Sequence, residues 1–518
     1  MLQKPGISRA RKEKGPVPGN EVYFEIDGEG GKIGSMRGTV GKSFLIIWLI
    51  ALLLWIPSCA TNPVSGQPEL MLLSEKDEIR LGRQTDAEII RQYGLYEDKK
   101  LSAYLNEIGD KMVKLSHRPN LAFHFRLLDS SVVNAFAVPG GYVYITRGIL
   151  AALNNEAELA GVMGHEIGHV TARHSAEQYT RAQLAQLGLG LGMVFSDTLR
   201  GISDFAQLGV GLLFLKFSRN NERQADELGV EYSTKAGYDA RQMAEFFKTL
   251  ERMNPGPGKS GLPSWFATHP SPEDRVMTVR AEARELQEAL GVRNLKIGRN
   301  EYLRHIDGLV FGEDPRQGYE KDNVFYHPVL RFQFPVPPGW KLVNTASQVR
   351  IINKKRNALI LFSLATGNTP RDAADTFVEK TRALVLRTAE TRINNLPAYY
   401  IVSDIRTQNG ILRVLSYFIK KGKHIFVFHG AAFPSLFGKY RPTFEVTIRG
   451  FKNLSDPKKI NVKPRRIRIR KVRLTGTVKE TLISLGVPRK ELKRIALLNG
   501  KTLDEKLQAN TLLKVVQK

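Results

Sequence analysis

The chain has 518 residues, 42% of them hydrophobic and 25% charged. At roughly 150 residues per domain this length implies two to four domains and excludes a disulfide-stapled mini-protein; the composition excludes a mostly disordered chain or a polytopic membrane protein. Lys and Arg number 77 against 51 Asp and Glu, a formal charge of +26 that favours anionic partners such as phospholipid surfaces, phosphorylated glycans or nucleic acid. With Cys59 as its single cysteine, the chain can form no intrachain disulfide, Cys-based zinc finger or iron–sulfur cluster. Any metal must sit on His and carboxylates.

The longest apolar run, Phe44 to Ile56, is too short at about 1.5 Å per residue to span a bilayer core of about 30 Å comfortably. It reads as the apolar region of a signal peptide, with Arg37 and Lys42 before it and Met36 as a start of normal proportions. The run ends in Ile56-Pro57-Ser58-Cys59, which resembles a bacterial lipobox. The resemblance implies cleavage before Cys59, acylation of that residue and a lipid anchor in a membrane, with residues 1–58 as the signal and lipobox segment. A short signal anchor left uncut is the alternative. Ala60 after the cysteine resembles lipoproteins sorted to the outer membrane, facing the periplasm, where no nucleic-acid partner is expected.

Ser74 with Asp77 and Glu78 marks a capped helix start running to about Gly94, and a second helical pattern runs from Lys99 to Leu115. Leu121 to Leu128 and Tyr142 to Thr146 alternate as strands around Pro139-Gly140-Gly141. Asn155 is the expected N-cap of the next helix, with Glu158 three residues on. Leu184 to Phe217, rich in Gly and Leu but interrupted by Asp197, Arg200 and Asp204, reads as a pair of buried helices. Further helices are expected from Asn220 to Lys235, Ala240 to Met253 and Pro272 to Leu290.

His165-Glu166-Ile167-Gly168-His169 is an HExxH motif within the helix that starts at Asn155. Four residues advance a helix by about 400°, so both histidines lie on one face, one turn apart, as two nitrogen ligands of one tetrahedral Zn²⁺ must. Glu166 beside them is placed to take a proton from water and pass it to the leaving amine. A third ligand is required. Ala172 and Ser175 close the route that would use a third histidine downstream, and His174, about 900° around the helix from His165, reads as structural on the opposite face. Glu222-Arg223-Gln224-Ala225-Asp226 offers an acidic pair one turn apart: Glu222 can complete the metal triad while Asp226 accepts the free N–H of a ligand histidine.

These residues resemble the CAAX-prenyl-protease-type and HtpX-like zinc endopeptidases, in their soluble, periplasmic, outer-membrane lipoprotein branch. The matching positions are Cys59 with Thr61 to Gly66, Asn134-Ala135-Phe136, His165 to His169, Glu222 to Asp226, and His269-Pro270-Ser271-Pro272 with Arg275. The resemblance implies zinc on His165, His169 and Glu222, peptide hydrolysis with Glu166 as general base and acid, and His269 as a regulatory fourth ligand. It also implies that Asn134 to Tyr144 supply an edge strand for extended, unfolded or misassembled protein substrates. Arg275 is a candidate oxyanion donor.

Beyond about Tyr302, alternating patterns around Phe332, Ile351, Leu359 to Leu364, Tyr399 to Ser403, Ile411 to Ile419 and His424 to Phe428, with Thr369-Pro370 capping a helix, predict an α+β module over 301–455. It weakly resembles the Mog1/PsbP-like fold and carries no catalytic constellation. Lys463 to Arg473 reads as a solvated edge strand with a row of positive charge, or as a site for lipid phosphates or an acidic polymer. Residues after Gly476 resemble a LysM domain, which implies a peptidoglycan or other glycan ligand; Asn510 stands where its last turn normally has Gly. The expectation is therefore an α+β multidomain chain: a mainly helical peptidase domain with a small sheet over 59–300, the accessory module, and a basic strand with a LysM-like module over 456–518. Its function is expected to be envelope protein quality control. A mostly latent protease acting as a chaperone or assembly factor is the alternative.

Overall fold

The computed structural model describes residues 59–188, 217–253, 265, 269, 274–407 and 410–518. The signal segment, most of the expected helix pair between Leu184 and Phe217, and Pro270 to Pro272 lie outside the described residues. Among the described residues no helix is long and apolar enough to cross a membrane.

The first described strands, β1 (Cys59–Thr61) and β2 (Pro68–Leu70), pair antiparallel. Helix α1 (Glu75–Tyr93) begins with a full capping box between Ser74 and Asp77, and α2 (Lys99–Val113) is capped by Asp98. A three-stranded sheet follows in the order β3 (His124–Leu128), β5 (Tyr142–Thr146), β4 (Ala135–Val138). Helices α3 (Arg147–Ala152) and α4 (Glu156–Thr171) come next, the latter capped by the Asn155 side chain on the Glu158 amide. Every residue of α4 is buried, so it is the central rod of this region. It is followed by α5 (His174–Gly188), α6 (Arg219–Lys235), α7 (Arg241–Met253), α8 (Arg275–Ala289) and α9 (Arg299–His305).

The accessory module is built on antiparallel strands. β6 (Tyr319–Lys321), β7 (Val324–His327), β8 (Phe332–Pro335) and the later β16 (Lys452–Asn453) form one sheet. β9 (Lys341–Asn344), β10 (Gln348–Ile352), β11 (Ala358–Ala365), β12 (Leu384–Ile393), β13 (Leu396–Thr407), β14 (Gly410–Lys421) and β15 (His424–Ala432) form another, in the order β12-β13-β14-β15-β11-β10-β9. Helix α10 (Pro370–Thr381), with the Thr369 cap read from sequence, and α11 (Pro434–Arg449) complete the module. The sequence patterns missed the short strands β6, β7, β9 and β16 as well as β12 and α11. Most of β12 is solvent-exposed and so lacks a two-residue burial rhythm, and α11 carries an internal Pro442.

The last segment runs α12 (Pro457–Ile460), β17 (Arg466–Lys471), β18 (Gly476–Thr477), α13 (Val478–Ser484), α14 (Leu492–Leu498), β19 (Lys506–Leu507) and β20 (Leu512–Gln517). Asn510 takes a left-handed φ of 71°, as its place in a Gly-type turn requires. Two expectations change here. The basic strand is not an edge: β17 pairs with β20 on one side, and on the other Ile467 exchanges backbone hydrogen bonds of 2.8 and 2.9 Å with Leu309 and Gly308. Nor is the segment a separate body, because Ile467, Leu482, Ile495, Leu513 and Val515 share one apolar core with Leu150, Phe247 and Tyr302 of the region that carries the HExxH helix. Tyr302, Leu303, Ile306 and Leu309 belong to that core too, so the core reaches past the expected boundary at 300.

Candidate metal centre

The HExxH helix and the acidic helix meet at a seam of small residues. A Cβ on Gly164 would come within 3.0 Å of the Gly229 carbonyl, and one on Gly229 within 3.0 Å of the His165 amide. Only glycines allow α4 and α6 to approach so closely, and this approach brings Glu222 and Asp226 against the two histidines. Neither glycine was singled out from sequence; small residues spaced along one helical face were the available signal.

His165, His169, Glu222 and His269 each offer a ligand atom, and these atoms all lie within 4.8 Å of one another in a buried cluster. The Nε2 atoms of His165 and His169 are 3.1 Å apart, and His165 Nε2 is 3.3 Å from His269 Nδ1. Glu222 Oε1 lies 3.0 Å from His269 Nδ1 and 3.6 Å from His169 Nε2.

The partners at the outer ring nitrogens set the tautomers. Asp226 Oδ1 is 2.8 Å from His165 Nδ1; a carboxylate only accepts, so His165 donates from Nδ1 and turns a bare Nε2 lone pair into the cluster. His169 Nδ1 is 2.9 Å from His174 Nδ1, and His174 Nε2 is 2.8 Å from Gln224 Oε1. With the Gln224 oxygen accepting from His174, His169 donates from Nδ1 and also presents a bare Nε2. His174 thus stands beside a ligand candidate and not on the far face of its helix. The cause is local: α4 stops at Thr171, and Arg173 takes a left-handed φ of 58° that turns the chain back. Arg173 is pinned there by its bonds to Glu78 and to the Leu73 carbonyl.

Two facing lone pairs at this distance call for a cation between them. Nitrogens bound to one tetrahedral zinc at about 2.0–2.1 Å lie roughly 3.3 Å apart, close to both separations here. Glu222 Oε2 and both oxygens of Glu166 are buried without a hydrogen bond, a further sign that the donor set fits a metal. Burial raises the pKa of Glu166, against the pull of the neighbouring His269 and His165. Burial, then the neighbouring His165, His174 and His269, push His169 well below the ordinary imidazole value. Burial would raise Glu222 and Asp226, but facing cations and imidazoles outweigh it and lower both: His269, His165 and Arg275 at Glu222, Arg275 and His165 at Asp226.

Arg275, the candidate oxyanion donor, bonds Asp226 through Nη2, while its Nε and Nη1 are buried without a hydrogen bond. It lies 2.6 Å from Asp226 and 3.4 Å from Glu222, over the face of Phe247. The contacts make it a residue that holds carboxylates in place.

His269 sits inside the cluster, its Nε2 3.6 Å from Glu166. Burial opposes charge on this ring, yet Glu222 and Glu166 outweigh it and raise the pKa. Trp265, which the sequence reading passed over, stacks on His269 with ring centres 4.3 Å apart, and its amide donates to the Val133 carbonyl at 3.2 Å. Asn134 immediately precedes β4, which contains Ala135 and Phe136 and forms the edge of its sheet. The expected edge strand is therefore only Ala135–Val138, since Tyr142 to Tyr144 belong to β5 between two neighbours. The Cys59 backbone pairs with Leu70.

Residues 99–283 match peptidase family M48. The beta-barrel assembly-enhancing protease of Escherichia coli (strain K12) is 30% identical over 239 residues, which are 44% of this chain and 48% of that protein. The mitochondrial metalloendopeptidase OMA1 of Schizosaccharomyces pombe is 30% identical over 230 residues, 43% of this chain and 66% of that one. Among solved structures, cyanobacterial PsbP (CyanoP) from Synechocystis sp. PCC 6803 aligns with 25% of this chain and 91% of its own, at a TM-score of 0.23 and 12% identity. The chain spans about half the length of the first curated relatives it matches. The converging histidines and carboxylate candidates fall within the segment that matches peptidase family M48.

Proposed function

We propose that this chain is a zinc-dependent endopeptidase of the cell envelope that cuts unfolded or misassembled envelope proteins. The observation carrying the proposal is the convergence of His165, His169 and Glu222 from two helices, with Glu166 beside them, its oxygens free of hydrogen bonds. A zinc ion held by these three residues would supply Lewis acidity to water and to the scissile carbonyl. Glu166 accepts the proton of the attacking water and returns it to the leaving amine. Asp226, and Gln224 through His174, keep the ligand imidazoles turned inward, and Arg275 offsets the charge of the two carboxylates. Strand β4 offers its free edge to an extended substrate through backbone bonds, a mode that reads conformation more than side chains.

The envelope assignment draws on the lipobox-like Ile56 to Cys59 and on the bacterial relatives, which are named beta-barrel assembly-enhancing proteases. A lipid anchor at Cys59, an outer-membrane location and a LysM-like glycan-binding role for the C-terminal segment are parts of the same proposal. The strand-helix-helix-strand order of β17, α13, α14 and β20 supports the last of these.

A second reading, a mostly latent protease that acts as a chaperone or assembly factor, is favoured by His269. Its ring takes up space among the ligand candidates, and Trp265 holds the backbone next to β4. In that state the segment must move before substrate enters, so His269→Ala is expected to raise peptidase activity.

The test is metal analysis of the purified chain beside casein cleavage with and without chelator, then complementation of a deletion strain by Glu166→Gln. Bound zinc, chelator-sensitive cleavage and failed complementation are expected. Full rescue by Glu166→Gln would replace the catalytic account with the chaperone one.

A further inference from the structure

The large accessory sheet covers its two faces unequally. On one face Ala358, Ile360 and Phe362 of β11 enter a core shared with Phe334 of β8 and Phe444 of α11. On the other, α10 covers only one end, where Ala373 and Ala374 pack on Ile401, Phe418, Ile425 and Val427. Strand register continues this second face past the helix. Ile425, Val427, His429 and Ala431 alternate along β15, with His429 bonded to Ser416 and stacked under Phe377 of α10; Ala431 lies opposite Leu359, and Leu359 lies opposite Ile352. There Val343, Ile352, Leu359, Leu412 and Ala431 line a groove of about 880 Å³, within the span of roughly 300–1,000 Å³ usual for small-molecule sites. An antiparallel face left to water normally reads polar. These five positions are apolar.

The rim of the groove has one sign of charge. Lys341, Lys354 and Arg356 line it, all three exposed, and no Asp or Glu lines it with them. Asn353 and Asn357, which also line it, are bonded to each other and to Tyr440. Strands β10, β11, β15 and β14, which supply most of the floor, each pair on both sides, so their backbone groups are also in use; β9, which carries Val343, is an edge of the sheet. A peptide lying on that floor would leave its own amides without partners, whereas an acyl chain has none to satisfy.

We propose that this groove binds a single-chain anionic lipid of the fatty-acid type, the acyl chain against the apolar floor and the carboxylate among Lys341, Lys354 and Arg356. The site is separate from the metal centre and does not depend on the peptidase reading.

The test uses the full chain and cis-parinaric acid as a fluorescent probe. Saturable binding with one site per chain is expected, with displacement by palmitate and none by hexadecylamine. The triple variant Lys341→Glu, Lys354→Glu, Arg356→Glu changes only exposed side chains, so its fold is retained, and it is expected to weaken palmitate at least about tenfold. Ala431→Trp, which fills the floor, is expected to abolish binding. Unchanged affinity in the triple variant, or equal displacement by hexadecylamine, would overturn the charged rim. Displacement by lysophosphatidylglycerol with none by palmitate would overturn the carboxylate head, and displacement by an acidic apolar decapeptide as effective as by palmitate would overturn the lipid.

Discussion

Residues 319–453 and 466–517 both follow the metal-site helices in the chain, yet only the first carries a core of its own. The accessory module is packed around Phe325, Phe332, Phe334, Phe362, Phe426, Phe428 and Phe451, which touch one another and not the peptidase core. The C-terminal segment instead inserts Ile467, Leu482, Ile495 and Leu513 into the core that surrounds α4. It also buries Lys514, whose Nζ donates to the carbonyls of Ala151 and Leu153 at 2.8 Å and of Ala152 at 3.4 Å. Those carbonyls end α3, where a helix leaves acceptors unsatisfied and favours a cation. Arg299 ties the same corner by donating to Asn154 and Leu512 carbonyls. Size explains the contrast: a segment of about 50 residues buries too little surface to stand alone and borrows a core, whereas one more than twice as long need not.

Deleting 456–518 should break the peptidase, while replacing 319–453 by a short linker should leave it folded. Thermal melting and limited proteolysis read both, and an unchanged melting temperature after the C-terminal deletion would dissolve the contrast. Next in size, Lys514→Met strands three carbonyls and is expected to cost about 3 kcal/mol of stability, measured by denaturant unfolding. An equal cost from Lys341→Met, on the exposed accessory rim, would show that burial of the lysine is not the cause.

The two regions should also answer pH with opposite sign. In the accessory module burial pushes the His429 imidazole down to about 4 from 6.5, so its contribution is full above 6.5 and is lost as pH falls through about 4. That shift corresponds to a loss on the order of 3 kcal/mol on acidification. In the peptidase region burial, with Glu227 and Asp226 nearby, pushes Glu282 up to about 7 from 4.5. Its contribution is full below 4.5 and is lost as pH rises through about 7, a smaller effect because the group is half exposed. Hydrogen exchange at pH 4 and pH 8 resolves the regions: His429→Gln should flatten the acid limb of β14 and β15, and Glu282→Gln the alkaline limb of α8. Matching limbs in both regions would contradict the separate cores.

What could be read without a structure was local. HExxH spacing, the Glu222–Asp226 pair one turn apart, and the caps at Ser74, Asn155 and Thr369 all follow from helical period and side-chain reach, which involve residues three or four apart. The strands of the accessory sheet followed where burial on one face imposed a rhythm, and β12 escaped because most of it is exposed. Even His165, His169 and Glu222 could be named as candidate ligands because each sits at a fixed offset within its own helix.

Contacts between residues far apart in the chain had no such signature. The glycine seam of α4 and α6, the turn at Arg173 that swings His174 onto His169, the seat of Trp265 and His269, and the anchoring of Lys514 on α3 each join elements whose pairing depends on how all the others pack. A lysine 363 positions from the carbonyl it bonds looks, in one dimension, like any solvated lysine. Burial and partner are properties of the assembled core, because the energy that selects them comes from surface removed from water by many residues together and not from any short stretch of chain.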